Sequence, residues 1–169
     1  MRFSIYMVVF LLAVTAGCQT TNEIYIVRHA EKAAEPASDP VLTTEGKQRA
    51  ETLKELLKNK NIKAVFSTQR VRTSETAAPI SRLINVPIQY YGNDTLPQFL
   101  QNIILSKRNA LIVGHSNTSV TMVKSLQLPH AVTFIAEDDY DNMFIIKVKN
   151  GKAVKIIERT YGAVSPAVK

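Results

Sequence analysis

Two strand-length apolar runs, each ending on a histidine, constrain this chain more than any other feature. The first is Ile24-Tyr25-Ile26-Val27, which leads directly into Arg28-His29-Ala30-Glu31-Lys32. The second is Ala110-Leu111-Ile112-Val113, which leads into Gly114-His115-Ser116-Asn117-Thr118. A short apolar run bounded by polar residues fits a strand covered on both faces, as in a parallel sheet flanked by helices. A guanidinium beside an imidazole is costly to desolvate at such a strand end, and an anionic ligand offsets that cost. Two units of this form in one small domain predict one site built from two histidines.

The intervening sequence supplies helices. Thr43-Thr44 can cap a helix to about Lys58, with Ala50, Leu53, Leu56 and Leu57 at helical spacing. Ile62 to Phe66 reads as a second strand, and Ser67 to Arg72 leads from it into a helix to about Leu83. Val86 to Tyr90 reads as a third strand, which Pro87 marks as short or near an edge. Leu96 to Leu105 is helical, with Phe99, Leu100, Ile103 and Ile104 on one face. Ser116-Asn117 can cap a further helix from Thr118 to Leu126. Met143 to Val148 and Ala153 to Glu158 are strands joined across Asn150-Gly151, a hairpin dipeptide. This order predicts a three-layer α/β/α sandwich, its sheet mostly parallel with an antiparallel C-terminal addition. Ligands of such sheets bind outside the carboxyl ends of the strands. Arg28, His29, Arg72 and His115 each follow a predicted strand and should converge there.

Arg28-His29 after an apolar strand, then Ser67-Thr68-Gln69-Arg70-Val71-Arg72-Thr73-Ser74-Glu75-Thr76-Ala77, then Gly114-His115-Ser116 resemble the histidine phosphatase superfamily, the phosphoglycerate-mutase-like group. Asp39 to Thr43, Gly46 and Arg49-Ala50 also resemble it and are expected to be structural. Ala30 departs from the family's usual glycine. The resemblance implies a metal-independent phosphatase, without a cofactor, in which His29 attacks phosphorus and forms a phosphohistidine. Arg28 and Arg72 would bind the phosphate dianion through their planar forks. His115 would be a protonated donor to the phosphate oxygens, and Ser116 and Asn117 would bring the N-terminus of a helix to them. Arg72 matches the family because it lies four residues before Thr76-Ala77, and Arg70 is the alternative.

The family's usual glutamate, which gives the leaving group its proton, is missing. Asp94 and Asp141 are the candidates by position, and Glu31 is close in sequence with an unreadable direction. A chain without a built-in acid would suit a good leaving group such as the imidazole of phosphohistidine. The expected substrate is therefore a small phosphorylated molecule or a phosphohistidine-bearing protein. A mutase is disfavoured, because the long insertions of the family's mutases are missing. A catalytically silent anion-binding lipoprotein is the reading from another class. His130, beside Pro129, is expected at the surface.

The net charge of +7 comes from 21 basic and 14 acidic residues. No Lys/Arg run or basic-aromatic interleaving occurs and tryptophan is absent, so no nucleic-acid partner is expected. Met1-Arg2, an apolar run from Ile5 to Ala16 and then Gly17-Cys18 read as a secretory signal over residues 1–17. The run is shorter than the about 20 residues of a spanning helix. Thr15-Ala16-Gly17-Cys18 resembles a bacterial lipoprotein box, which implies acylation of Cys18 and a lipid-anchored place in the cell envelope. Gln19 after the cysteine favours the outer membrane, by resemblance to enterobacterial sorting. The expected layout is completed by a tether at 18–23, the catalytic domain at 24–162 and a loose tail at 163–169.

Overall fold

The computed structural model describes residues 20–165. The expected signal over residues 1–17 and Cys18, the expected acylation site, lie outside the described residues.

Strand β1 (Thr21–Arg28) is followed by α1 (Thr44–Leu57), β2 (Ala64–Thr68), α2 (Val71–Ile84), β3 (Ile88–Tyr91) and α3 (Leu96–Leu105). The chain continues through β4 (Ala110–Gly114), α4 (Ser116–Ser125), β5 (Asn142–Lys149) and β6 (Lys152–Thr160). The strands form one six-stranded sheet in the order β3-β2-β4-β1-β5-β6. β3, β2, β4 and β1 are mutually parallel, whereas β5 and β6 are antiparallel additions beside β1. The mixed sheet is the one the sequence predicts.

Residue alternation along the central strands divides the core. Ile24 and Ile26 of β1, with Ala110 and Ile112 of β4, pack against Leu100 and Ile104 of α3 and Met122 and Val123 of α4. Tyr25 and Val27, with Leu111 and Val113, pack against Leu53 and Leu57 of α1 and Ala77 and Ile80 of α2. These residues are essentially buried, and each large aliphatic side chain contributes about 1.5–3 kcal/mol by leaving water. The continuous apolar runs are thus explained by helices on both faces.

The central pair is also in register for function. Arg28 lies opposite Gly114, and the His29 backbone N–H donates to the Gly114 carbonyl at 2.9 Å. This register sets the two histidine-bearing strand ends side by side.

Several boundaries differ from the sequence reading. Thr21, Asn22 and Glu23 belong to β1 and pair with Lys149, Val148 and Lys147, so this part of the expected tether is sheet. α4 begins at Ser116 and is capped by His115, not by Ser116-Asn117. The reason is local: the Thr118 hydroxyl accepts from the His115 N–H at 2.8 Å and closes the turn one residue early. The beginning of the expected loose tail is held, since the Ser165 N–H donates to Asp141 at 2.9 Å and the Ala163 carbonyl accepts from Arg49 at 2.8 Å. Residues 166–169 lie outside the described residues. The hairpin dipeptide behaves as expected: Asn150 and Gly151 have φ of 52° and 75°, the two positive values of a type I′ turn.

Candidate active site

His29 stands just past the end of β1 and is 3% exposed. Its Nδ1 lies 2.8 Å from the Ala30 carbonyl oxygen. A carbonyl only accepts, so Nδ1 carries the proton and Nε2 keeps its lone pair. Burial pushes the His29 pKa down to about 3, with Arg28, His115 and Arg72 adding to the effect against the Ala30 hydrogen bond. The ring is therefore neutral at physiological pH. Ala30 is fully buried, and its N–H donates to the Thr76 hydroxyl at 2.9 Å, which ties the strand end to α2.

His115 follows β4, with its ring centroid 5.5 Å from that of His29. Its Nε2 is 3.0 Å from the Thr68 hydroxyl at the end of β2, and Thr68 is in turn 3.0 Å from the Thr73 hydroxyl. Burial lowers the His115 pKa to about 4, helped by Arg72, Arg28 and Arg70. In the open cleft His115 is therefore neutral, whereas the charged donor that the sequence predicts belongs to the phosphate-bound site. A bound dianion would reverse the field that holds it so. Gly114 has no substitute in this arrangement: a Cβ there would lie 2.5 Å from the Thr118 hydroxyl and 2.6 Å from the Tyr91 hydroxyl.

Arg28 is 1% exposed, and the loop after α4 wraps around it. Its Nη1 donates to the carbonyls of Ala136 and Asp139, and its Nη2 donates to the Glu137 carbonyl at 2.9 Å. The Glu137 carboxylate stands 3.4 Å away, and the Tyr140 ring lies under the guanidinium at 4.6 Å. The Nε of Arg28 has no partner, nor has the Nε of Arg72. Arg72 sits in the first turn of α2, 3.4 Å from Asp39. Asp39 also accepts the Val71 N–H at 3.0 Å. This residue, read as merely structural, orients a site arginine.

These groups open into one cleft of about 500 Å³ at the carboxyl end of the parallel strands. Arg28, His29, Arg72, His115, Ser116 and Asn117 all line it, as the sequence predicts. Arg70 lines it too, although it is exposed and makes no ion pair among the described residues. Lys32, Asn93 and Glu137 complete the wall and were not foreseen. The candidate proton donors do not reach it. Asp94 is exposed beside Asn93 and is not one of the lining residues, and Asp141 is buried and spent on Ser165. Glu31 is taken by Arg49 at 2.7 Å. Among the described residues no cluster of His, Cys, Asp and Glu could hold a metal ion.

Residues 24–93 match the model of the histidine phosphatase superfamily (branch 1). The matched stretch runs from β1 to just past β3 and holds Arg28, His29 and Arg72 of the cleft. The chain's solved structural neighbours share its fold at low sequence identity. The protein histidine phosphatase SixA, complexed with tungstate, superposes with a TM-score of 0.68 at 17% identity, covering 82% of this chain and 96% of that one. The mycobacterial glucosyl-3-phosphoglycerate phosphatase gives 0.61 at 10% identity, with coverages of 85% and 99%. Phosphoglycerate mutase from Plasmodium falciparum gives 0.55 at 18% identity, with coverages of 88% and 94%. No curated protein sequence matches the chain. Ala30 stands where that superfamily usually has glycine, and its carbonyl still fixes the His29 ring.

Proposed function

We propose that this protein is a metal-independent phosphohydrolase that passes a phosphoryl group through His29 to water. The carrying observation is the neutral His29 ring, fixed by Ala30 at Nδ1 and lining a cationic cleft with Nε2 free. Nε2 attacks phosphorus and the leaving group departs; water then attacks the phosphohistidine and releases phosphate. The unpartnered Nε–H groups of Arg28 and Arg72 are donors in hand for the equatorial oxygens, where charge builds. Ser116 and Asn117 add the N-terminal end of α4. His115 gains its proton as the dianion enters and becomes a further donor.

The favoured substrate is a phosphohistidine-bearing protein, with a small phosphomonoester as the alternative within the same chemistry. Two observations support that order. Among the described residues Glu137 is the one carboxylate lining the cleft, and its side chain is 83% exposed. A phosphoimidazole leaves without a strong buried acid, because its other ring nitrogen takes the proton. A protein histidine phosphatase is also among the structurally similar proteins. His29→Ala should lose turnover by at least about 10⁴-fold with its fold intact. Brief exposure to labelled substrate should leave an acid-labile, base-stable label on the wild type only. Undiminished turnover by His29→Ala would overturn the mechanism, and a panel of phosphoesters against phosphohistidine ranks the substrates.

The same proposal places the enzyme in the bacterial envelope, outside the cytoplasm and anchored through acylated Cys18. Palmitate label should be lost in Cys18→Ser, and that variant should leave the membrane fraction. Soluble, unlabelled wild type would remove the placement and leave the chemistry untouched.

A further inference from the structure

The end of the molecule opposite the cleft is a cationic pole. Lys63 precedes β2, and its N–H donates to the Asn109 carbonyl at 2.8 Å. The Asn109 side chain donates to the Lys60 carbonyl at 2.6 Å. Asn22 at the start of β1 donates to the Arg108 carbonyl at 3.0 Å. Lys149 and Lys152 face each other across the β5–β6 turn, and the Lys107 side chain lies against Gly151 of that turn. These hydrogen bonds and pairings gather Lys60, Lys63, Lys107, Arg108, Lys149 and Lys152 at one end of the sheet. All are exposed, and none has a carboxylate partner among the described residues. The carboxylate on β1 closest to this end, Glu23, is already taken by Lys147 and the Tyr25 hydroxyl.

The chain enters the fold at this same pole. The Thr20 carbonyl accepts from the Asn150 N–H at 3.0 Å, so the apolar run from Ile5 to Ala16 and Cys18 lead into it. β1 then runs about 23 Å to Arg28, which puts the cleft at the far end. Solvated lysines need no partner in general. Here the exposed cations are concentrated where the membrane-directed segment begins.

We propose that this pole docks on an anionic phospholipid surface and holds the catalytic cleft facing away from the bilayer. Each cation near such a surface adds about 1 kcal/mol, or about fivefold, and the attraction fades within a Debye length. The docking goes beyond the phosphatase reading, and it rests on the envelope placement only for the tether. It also gives the surplus charge a role that nucleic acid does not.

Amine footprinting of the full chain bound to vesicles tests this. The vesicles are equal parts phosphatidylglycerol and phosphatidylcholine, or phosphatidylcholine alone. Lys60, Lys63, Lys107, Lys149 and Lys152 should be protected at least about fivefold on the anionic vesicles, while Lys47 at the cleft end stays reactive. Protection should vanish near 1 M salt, where the Debye length is about 3 Å. The variant Lys107→Glu, Lys149→Glu, Lys152→Glu should lose protection at Lys60 and Lys63 and keep full activity on a soluble phosphoester, which certifies its fold. Equal labelling on both vesicles overturns the proposal, as does protection that survives high salt. Protection by DNA or an acidic protein with none by vesicles overturns it too. A palmitate label run in parallel separates the readings: protection without acylation leaves the docking standing, and acylation without protection removes it. Activity reports on the phosphatase reading independently of both.

Discussion

Arg28 and Arg49 are both buried, at 1% and 3% exposure, and each lies over a tyrosine ring, Tyr140 and Tyr161 respectively. Their hydrogen bonds differ. Every nitrogen of Arg49 is engaged: Nε and Nη2 with Glu31, Nη1 with the Tyr161 carbonyl at 2.6 Å, and Nη2 also with the Ala163 carbonyl. Arg28 has an orphaned Nε, and its carboxylate partner is a solvent-facing Glu137 at 3.4 Å. A fully satisfied buried guanidinium holds the chain together. A buried guanidinium that lines a cleft and keeps an unpartnered Nε fits the proposed anion site instead. The difference teaches that satisfaction, rather than burial, separates the structural arginine from the one proposed to bind phosphate.

The strongest way to break this contrast is to remove each arginine. Arg49→Met should lower stability by about 3–5 kcal/mol, because it strands Glu31 and frees the C-terminal segment. Thermal melting would show the loss, while the folded fraction keeps its turnover. Arg28→Met should lower turnover by about 10²–10³-fold, the scale of one lost oxyanion donor, with a smaller fall in Tm than Arg49→Met. The reverse pattern, a stable inactive Arg49→Met and a molten active Arg28→Met, would end the assignment. Within the cleft, Arg72→Ala should lose more activity than Arg70→Ala, since Asp39 orients Arg72 and no carboxylate orients Arg70. A worse Arg70→Ala would move the phosphate clamp by half a turn.

The histidines sharpen the same point by their pH dependence. Their folded pKa values, about 3 for His29 and about 4 for His115, lie below the ordinary 6.5. The unfolded chain therefore binds more protons between those values and 6.5. Stability from these groups is complete above pH 6.5 and is lost as the pH falls toward 4 and 3. Melting curves over that range should flatten in His29→Ala and His115→Ala, and inorganic phosphate should shrink the His115 contribution by favouring its charged form. The smallest expected effect concerns the glutamates. Glu31→Gln should lower Tm measurably, and Glu137→Gln should leave it unresolved, as expected of an exposed partner.

The sequence made Arg28, His29 and His115 legible because each follows an apolar run that can only be a covered strand. Arg72 was legible through its spacing from Thr76-Ala77, which the structure shows as one helical turn: the Thr76 hydroxyl donates to the Arg72 carbonyl at 2.8 Å. Glu137 was not, because the segment from Gln127 to Asp141 has no periodicity. It reaches the site only by curling its carbonyls around Arg28, a contact about 108 residues distant in sequence. Asp94 and Asp141, candidates by position, do not line the cleft, for a related reason. Nearness to a strand end says which rim a residue occupies, but the direction of its side chain depends on neighbours such as Ser165. The early cap at His115 was hidden because Ser116 and Asn117 are the better capping residues by type, whereas Thr118 closes the turn.

β1 is the first strand made and occupies the middle of the sheet, between β4 and β5. Its neighbours are among the last parts of the fold to be synthesised, and Thr21 pairs with Lys149 near the far end of the described chain. The strand pairings that fix the His29-bearing strand are therefore long-range, which makes loop closure the slow step of its assembly. A chain interrupted before Asn142 leaves β1 as an open edge, an invitation to pair with another molecule. The order of synthesis thus acts as a safeguard: the cleft around His29 stays unassembled until β5 has arrived.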